Sequence, residues 1–149
     1  MATSYTEYKE KGFWSNDTFF ELSVDYMIKT FQAKSSETQW LKNYIDQWLF
    51  HIAKGNFPRF ITMGFDKYLI DENRVDSFID LIRETKSYLL TKGDWLSHQE
   101  LNLFIVHDKL QSRWSTDLPT DTISKTLDKL ELLLLGEWPS QDEVAIWKA

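Results

Sequence analysis

Trp40, Leu41, Tyr44, Ile45, Trp48, Leu49 and Ile52 recur at alternating steps of one and three residues. Residues three and four apart share one face of an α-helix, so an unbroken stripe of this kind predicts an amphipathic helix with its aromatic face in a core. Ser36 and Gln39 have the spacing of a capping box, in which each side chain satisfies a backbone N–H that the first turn leaves free. Gly55 follows Lys54 where a left-handed C-cap is wanted. A helix over about 36–54 is therefore the fixed point around which the rest must pack.

The same period recurs along the chain. Phe20, Val24, Met27 and Phe31 line a helix expected over 17–33, behind the N-cap candidates Ser15, Asn16 and Asp17. Val75, Phe78, Ile79, Ile82 and Leu89 predict a helix over 72–92, capped by Asp71 and stopped at Gly93. Ser97 and Glu100 repeat the capping-box spacing ahead of Leu101, Leu103, Phe104, Ile105, Val106 and Leu110, so a strongly buried helix is expected over 98–114. Past Pro119, the residues Ile123, Leu127, Leu130 and Leu134 predict a helix over 121–135, capped by Thr120 or Asp121 and ended by Gly136. Ser140 and Glu143 precede Val144, Ile146 and Trp147 with the spacing of a short terminal helix.

Residues 1–15 read as a mostly extended lead-in that docks Phe13 and Trp14. Residues 56–70 are interrupted by Pro58 and Gly64, and a helix, a hairpin and a pocket-lining loop all remain open there. The expected fold is all-α: one domain over 1–149, a bundle of five to six helices in antiparallel or orthogonal packing.

Composition narrows function mainly by exclusion. Twenty-three acidic residues against 17 Lys and Arg give a net charge of −6, with no basic run. Phosphate backbones and anionic bilayers both need clustered cations, so neither nucleic acid nor a membrane surface is an expected partner. Cysteine is absent, which excludes disulfides, thiolate nucleophiles and zinc–thiolate sites. No apolar run reaches the roughly 20 residues of a membrane span, and the polar first residues do not form a signal peptide, so a cytoplasmic location is expected.

A search for catalytic sets returns little. The histidines are His51, His98 and His107, and none shares metal-ligand spacing with another. His107-Asp108 lacks the further ligands that a metal-dependent phosphohydrolase would need, and His107 lacks the distal pattern of a haem pocket. No Gly-rich phosphate loop or activated-serine motif is present, and no metal or cofactor is expected. Asp76 and Asp80 lie four apart, a spacing read as part of a solvated face.

What stands out is acid beside aromatic. Asp94-Trp95 and Glu137-Trp138 each set a tryptophan behind a carboxylate at an element end, and Glu72, Asp76 and Asp80 open the third long helix. Exposed tryptophan is characteristic of interface hot spots. These seven residues are the candidate partner-binding set of a small acidic interaction module, an inhibitor or immunity-type protein for a basic partner. A helical ligand- or cofactor-binding domain built around Phe57 to Tyr68 is the alternative, and an enzyme using His107 and Asp108 a third. The oligomeric state has no signature in the sequence, since no heptad seam is long enough to specify it.

Overall fold

A computed structural model describes residues 3–34, 38–54, 63–104 and 114–139. Its elements are, in order, β1 (Thr3–Tyr8), β2 (Lys11–Asn16), α1 (Asp17–Gln32), α2 (Gln39–Lys54), α3 (Phe65–Tyr68), α4 (Glu72–Leu90), β3 (Trp95–Leu96), α5 (His98–Leu101), β4 (Leu118–Pro119) and α6 (Thr120–Leu134). The strands make two small antiparallel sheets, β1–β2 and β3–β4. The all-α expectation is thus overturned: the chain is a helix-rich α+β fold.

The lead-in is extended, as its composition suggested, but it folds back on itself. Thr3 pairs with Asn16 and Tyr8 with Lys11, so residues directly opposite share a face. Thr6 and Phe13 turn into the core, while Tyr5 and Trp14 pack ring to ring at 5.3 Å on the other face. Gly12 is required by close approach, because a Cβ there would lie 2.2 Å from the Thr6 carbonyl oxygen and 2.7 Å from the Tyr5 ring.

The turn explains why the hairpin escapes the sequence. Lys9 and Glu10 form its two-residue loop with φ of 50° and 67°. Two left-handed residues give the twist that joins antiparallel strands, yet the residues that adopt it cheaply are Asn, Asp and Gly. The strain is held from outside, by the Lys9 N–H donating to the Asp66 carboxylate at 3.1 and 3.3 Å. Lys9→Asn with Glu10→Gly is expected to raise the unfolding free energy by about 1–2 kcal/mol. A urea titration should show a higher midpoint at unchanged slope; an unchanged or lower midpoint would refute the strain.

The long helices begin and end as the local chemistry dictates. Asn16 caps α1 by accepting from the Phe19 N–H, and Asp71 caps α4 by accepting from the Arg74 N–H. α6 starts one residue before the expected span, at Thr120 rather than behind a Thr120 or Asp121 cap. It ends in a Schellman motif, with Glu137 N–H donating to the Leu132 carbonyl and left-handed Gly136 between them. Arg83 and Lys86 on α4 bond Glu131 and Asp128 on α6, so the two helices run antiparallel. Such half-exposed pairs are worth at most about 1 kcal/mol each. They set register, while cohesion comes from Phe78, Ile82, Leu89, Ile123, Leu127 and Leu130, all fully buried.

α2 joins this core through rings, as its stripe predicted. Phe78 of α4 packs against Trp48 at 5.9 Å, Tyr44 at 6.1 Å and Phe65 of α3 at 5.4 Å. The Tyr44 hydroxyl donates to the Met63 carbonyl. The described part of the irregular segment is thus a one-turn helix held against α2; residues 55–62 lie outside the described range, as do Ser36 and Gly55 at the ends expected for α2.

The expected helix over 98–114 is also corrected. Ser97 caps it through the Glu100 N–H, but α5 stops at Leu101. Asn102 then bonds the backbone of Trp114 twice, accepting from its N–H at 2.7 Å and donating to its carbonyl at 2.9 Å. An asparagine that offers backbone-like bonds competes with helix continuation. Leu103, expected inside, is 83% exposed. Residues 105–113, with His107 and Asp108, lie outside the described range, as does the short helix expected from Ser140 onward.

Candidate functional site

The seven residues proposed from sequence do not form one surface. Glu72, Asp76 and Asp80 are exposed on α4, and Asp80 lines a polar cleft of about 270 Å³ with Lys34, Thr38, Ser77, Arg83 and Glu84. Asp94 and Trp95 lie beyond the opposite end of α4, which at 19 residues is about 28 Å long. Trp95 is 59% exposed, on the strand paired with Pro119. Trp138 is instead half-buried, its ring 5.2 Å from Phe13, with an indole N–H that meets no acceptor among the described residues. Its neighbour Glu137 is exposed. The seven residues thus fall at three separated places, and of the two acid–tryptophan pairs one is a packing position.

A different set converges at the middle of α1. Every residue from Leu22 to Ile28 is buried, so this stretch of the helix is enclosed on all sides, and Ser23 and Asp25 are enclosed with it. Asp25 is only 6% exposed, and among the described residues no hydrogen bond or ion pair reaches its carboxylate. It lines a cleft of about 290 Å³ with Lys29 and Gln32 of α1, Leu49 of α2, and Glu100 and Phe104 from α5 and the turn after it. A carboxylate removed from water costs several kcal/mol unless it is paired or protonated.

For Asp25 the balance shifts toward the protonated form. Burial, reinforced by the charge of Glu21 one turn earlier, pushes its pKa well above the ordinary carboxylate range. Glu21 is itself pushed up to about 7, by burial and then by Asp17. Asp17, Glu21 and Asp25 stand four residues apart, one above the other on α1. Ser4 of the hairpin donates to Asp17 and anchors the outer end of this column.

The opposite wall is well partnered. Glu100 accepts from the Tyr26 hydroxyl at 2.5 Å and pairs with Lys92 at 3.0 Å. Burial alone would raise Glu100, but the Tyr26 and Lys92 bonds outweigh it and hold the carboxyl below its usual range. Tyr26 packs edge-on to Phe104 at 4.8 Å. Lys29 sits over the rings of Tyr88 and Phe104, 5.6 and 5.9 Å from their centroids. The cleft therefore combines one ionised, satisfied carboxylate, one largely buried carboxyl with no protein partner among the described residues, and an aromatic wall already facing an ammonium.

Sequence reasoning missed Asp25, Glu21, Lys29 and Glu100. One signal was present: like charges at successive i, i+4 positions destabilise a helix, so three acids in that register beside an apolar face ask for a reason. Among the described residues, no group of three or more His, Asp or Glu side chains is placed to hold a metal ion, and no helix is long and apolar enough to cross a membrane. The chain matches no known family, no curated protein and no solved structure, so the site's own chemistry carries the functional reading.

Proposed function

We propose that this protein works by binding, and that the α1 cleft receives a cationic group, a lysine or arginine side chain, from a basic protein partner. The observation that carries this is Asp25, a carboxyl 6% exposed and without a hydrogen-bond or ion-pair partner among the described residues, at the wall of an open cleft. A guanidinium or ammonium supplies the counter-charge and hydrogen bonds that the carboxylate lacks, and the ring of Phe104 flanks its path. The net charge of −6 favours encounter with a basic surface. Exposed Trp95, Asp94, Glu72, Asp76, Asp80 and Glu137 then serve as outlying contacts. The inhibitor or immunity-type role in the cytoplasm is the version of this function that fits an acidic, cysteine-free chain.

The test is calorimetric titration of the protein with Gly-Arg-Gly blocked at both ends, with blocked Gly-Glu-Gly as control. One side chain in such a cleft should bind with Kd of about 1 mM, near −4 kcal/mol. Asp25→Asn, which cannot ionise, should weaken this about tenfold or more. Equal binding of both peptides, or an unaffected Asp25→Asn variant, would refute the reading.

A further inference from the structure

Lys29 has a place in this cleft that its sequence position does not require. It follows Asp25 by one helical turn, a spacing at which opposite charges on a helix pair. Yet its ammonium lies over Tyr88 and Phe104, and no ion pair joins it to Asp25. Lys92 approaches the same Tyr88 ring from 4.8 Å but is committed to Glu100. Lys29 is thus an exposed cation held by the Tyr88 hydroxyl and by the faces of Tyr88 and Phe104, with the Glu100 charge nearby, and both it and Phe104 line the volume beside Asp25.

We propose that Lys29 is an internal competitor: in the free protein its ammonium fills the aromatic seat that the partner's cationic side chain takes when it binds. This rests on the cationic-partner reading above. The geometry supplies the reason. The cleft of about 290 Å³ accommodates one basic side chain beside its own lining, and a ring face attracts whichever cation lies over it. A partner's guanidinium that reaches Asp25 passes Phe104, so it meets Lys29 on the way and displaces it toward solvent. Self-occupancy of this kind sets a threshold. A lone cation binds weakly, and a partner with contacts elsewhere on the surface supplies the difference.

The experiment uses the whole chain, blocked Gly-Arg-Gly as probe, and three proteins: wild type, Lys29→Met and Lys29→Arg. Met keeps most of the apolar stem and removes the charge. Lys29→Met is expected to bind the peptide roughly three- to tenfold more tightly than wild type, and Lys29→Arg to return to the wild-type value. Because deleting any nearby positive charge helps a cation bind, the deciding readout is the Lys29 side chain itself. Its ε-methylene protons should be shifted upfield by the rings in the free protein and should move back toward their ordinary position as wild type is saturated. Peptide binding that leaves those protons in place, or that weakens in Lys29→Met, overturns the competitor and leaves the cationic-partner reading standing. Absence of binding to both wild type and Lys29→Met overturns both.

Discussion

Phe78→Ala is expected to lower the unfolding free energy by about 3–5 kcal/mol, a large part of the stability of any domain this size. Phe78 is fully buried and touches rings from two other elements, Tyr44 and Trp48 of α2 and Phe65 of α3. Truncation removes the transfer energy of the ring and leaves a void that its neighbours are poorly placed to fill. Tyr44 is tied to the Met63 carbonyl and stacked on Tyr68 at 4.4 Å, so it cannot swing inward without breaking both contacts. Thermal unfolding should fall by roughly 10 °C or more, whereas Phe78→Leu should cost roughly a third as much. A loss below about 1 kcal/mol would mean that α2 is not fastened to α4 through this cluster.

The second large effect is a dependence of stability on pH that runs opposite to the usual carboxylate case. Glu21 rises from 4.5 to about 7 on folding, and Asp25 shifts in the same direction. Between the unfolded and folded values the native state holds more protons than the unfolded chain, so stability falls as pH rises across that window. Glu100 and Glu131 act in the opposite sense. Burial opposes their ionisation, but bonds from Tyr26 and Lys92, and from Lys86 and Arg83, hold both below the usual range. Their contribution is present above the ordinary carboxylate value and is lost as pH falls through the lowered one. Maximum stability is therefore expected near pH 5, with a loss of roughly 2 kcal/mol by pH 7.5 after discounting the partial exposure of Glu21. Urea midpoints across this range should fall with pH, and Glu21→Gln should flatten the slope and raise stability at pH 7.5. A profile that rises from pH 5 to 7 in wild type would contradict the buried column.

These two effects sit on opposite sides of what the sequence made legible. Phe78, Tyr44 and Trp48 could be read directly, because a helix with period 3.6 writes its buried face into the chain. Of the five long helices expected, those near 17–33, 36–54, 72–92 and 121–135 are occupied by α1, α2, α4 and α6 with boundaries shifted by a few residues, while that over 98–114 is not. The hairpin was hidden because its turn is Lys9-Glu10, held by a carboxylate from residue 66, which no local pattern announces. The shortening of the helix after Ser97 was hidden for a related reason. Asn102 acts through Trp114, and local capping chemistry at Ser97 reports where a helix begins but not where a distant partner ends it.

The candidate site was harder still. Trp95 and Trp138 look alike in sequence, each behind an acid after a glycine, yet one is exposed and the other is packed on Phe13. Asp25 looks ordinary between Val24 and Tyr26, and only the enclosure of this stretch of α1 on every side makes its carboxyl conspicuous. Its proximity to Glu100 spans 75 residues and depends on how α5 docks.

The most direct test of the cleft is the ionisation of Asp25 itself. Its carboxyl carbon can be followed by 13C NMR through a pH titration, with and without saturating blocked Gly-Arg-Gly. In the free protein the midpoint should lie well above the ordinary carboxylate value, and the bound peptide should draw it down as the guanidinium favours the ionised form. An Asp25 that titrates in the ordinary range, or one whose raised midpoint ignores the bound peptide, would contradict the account.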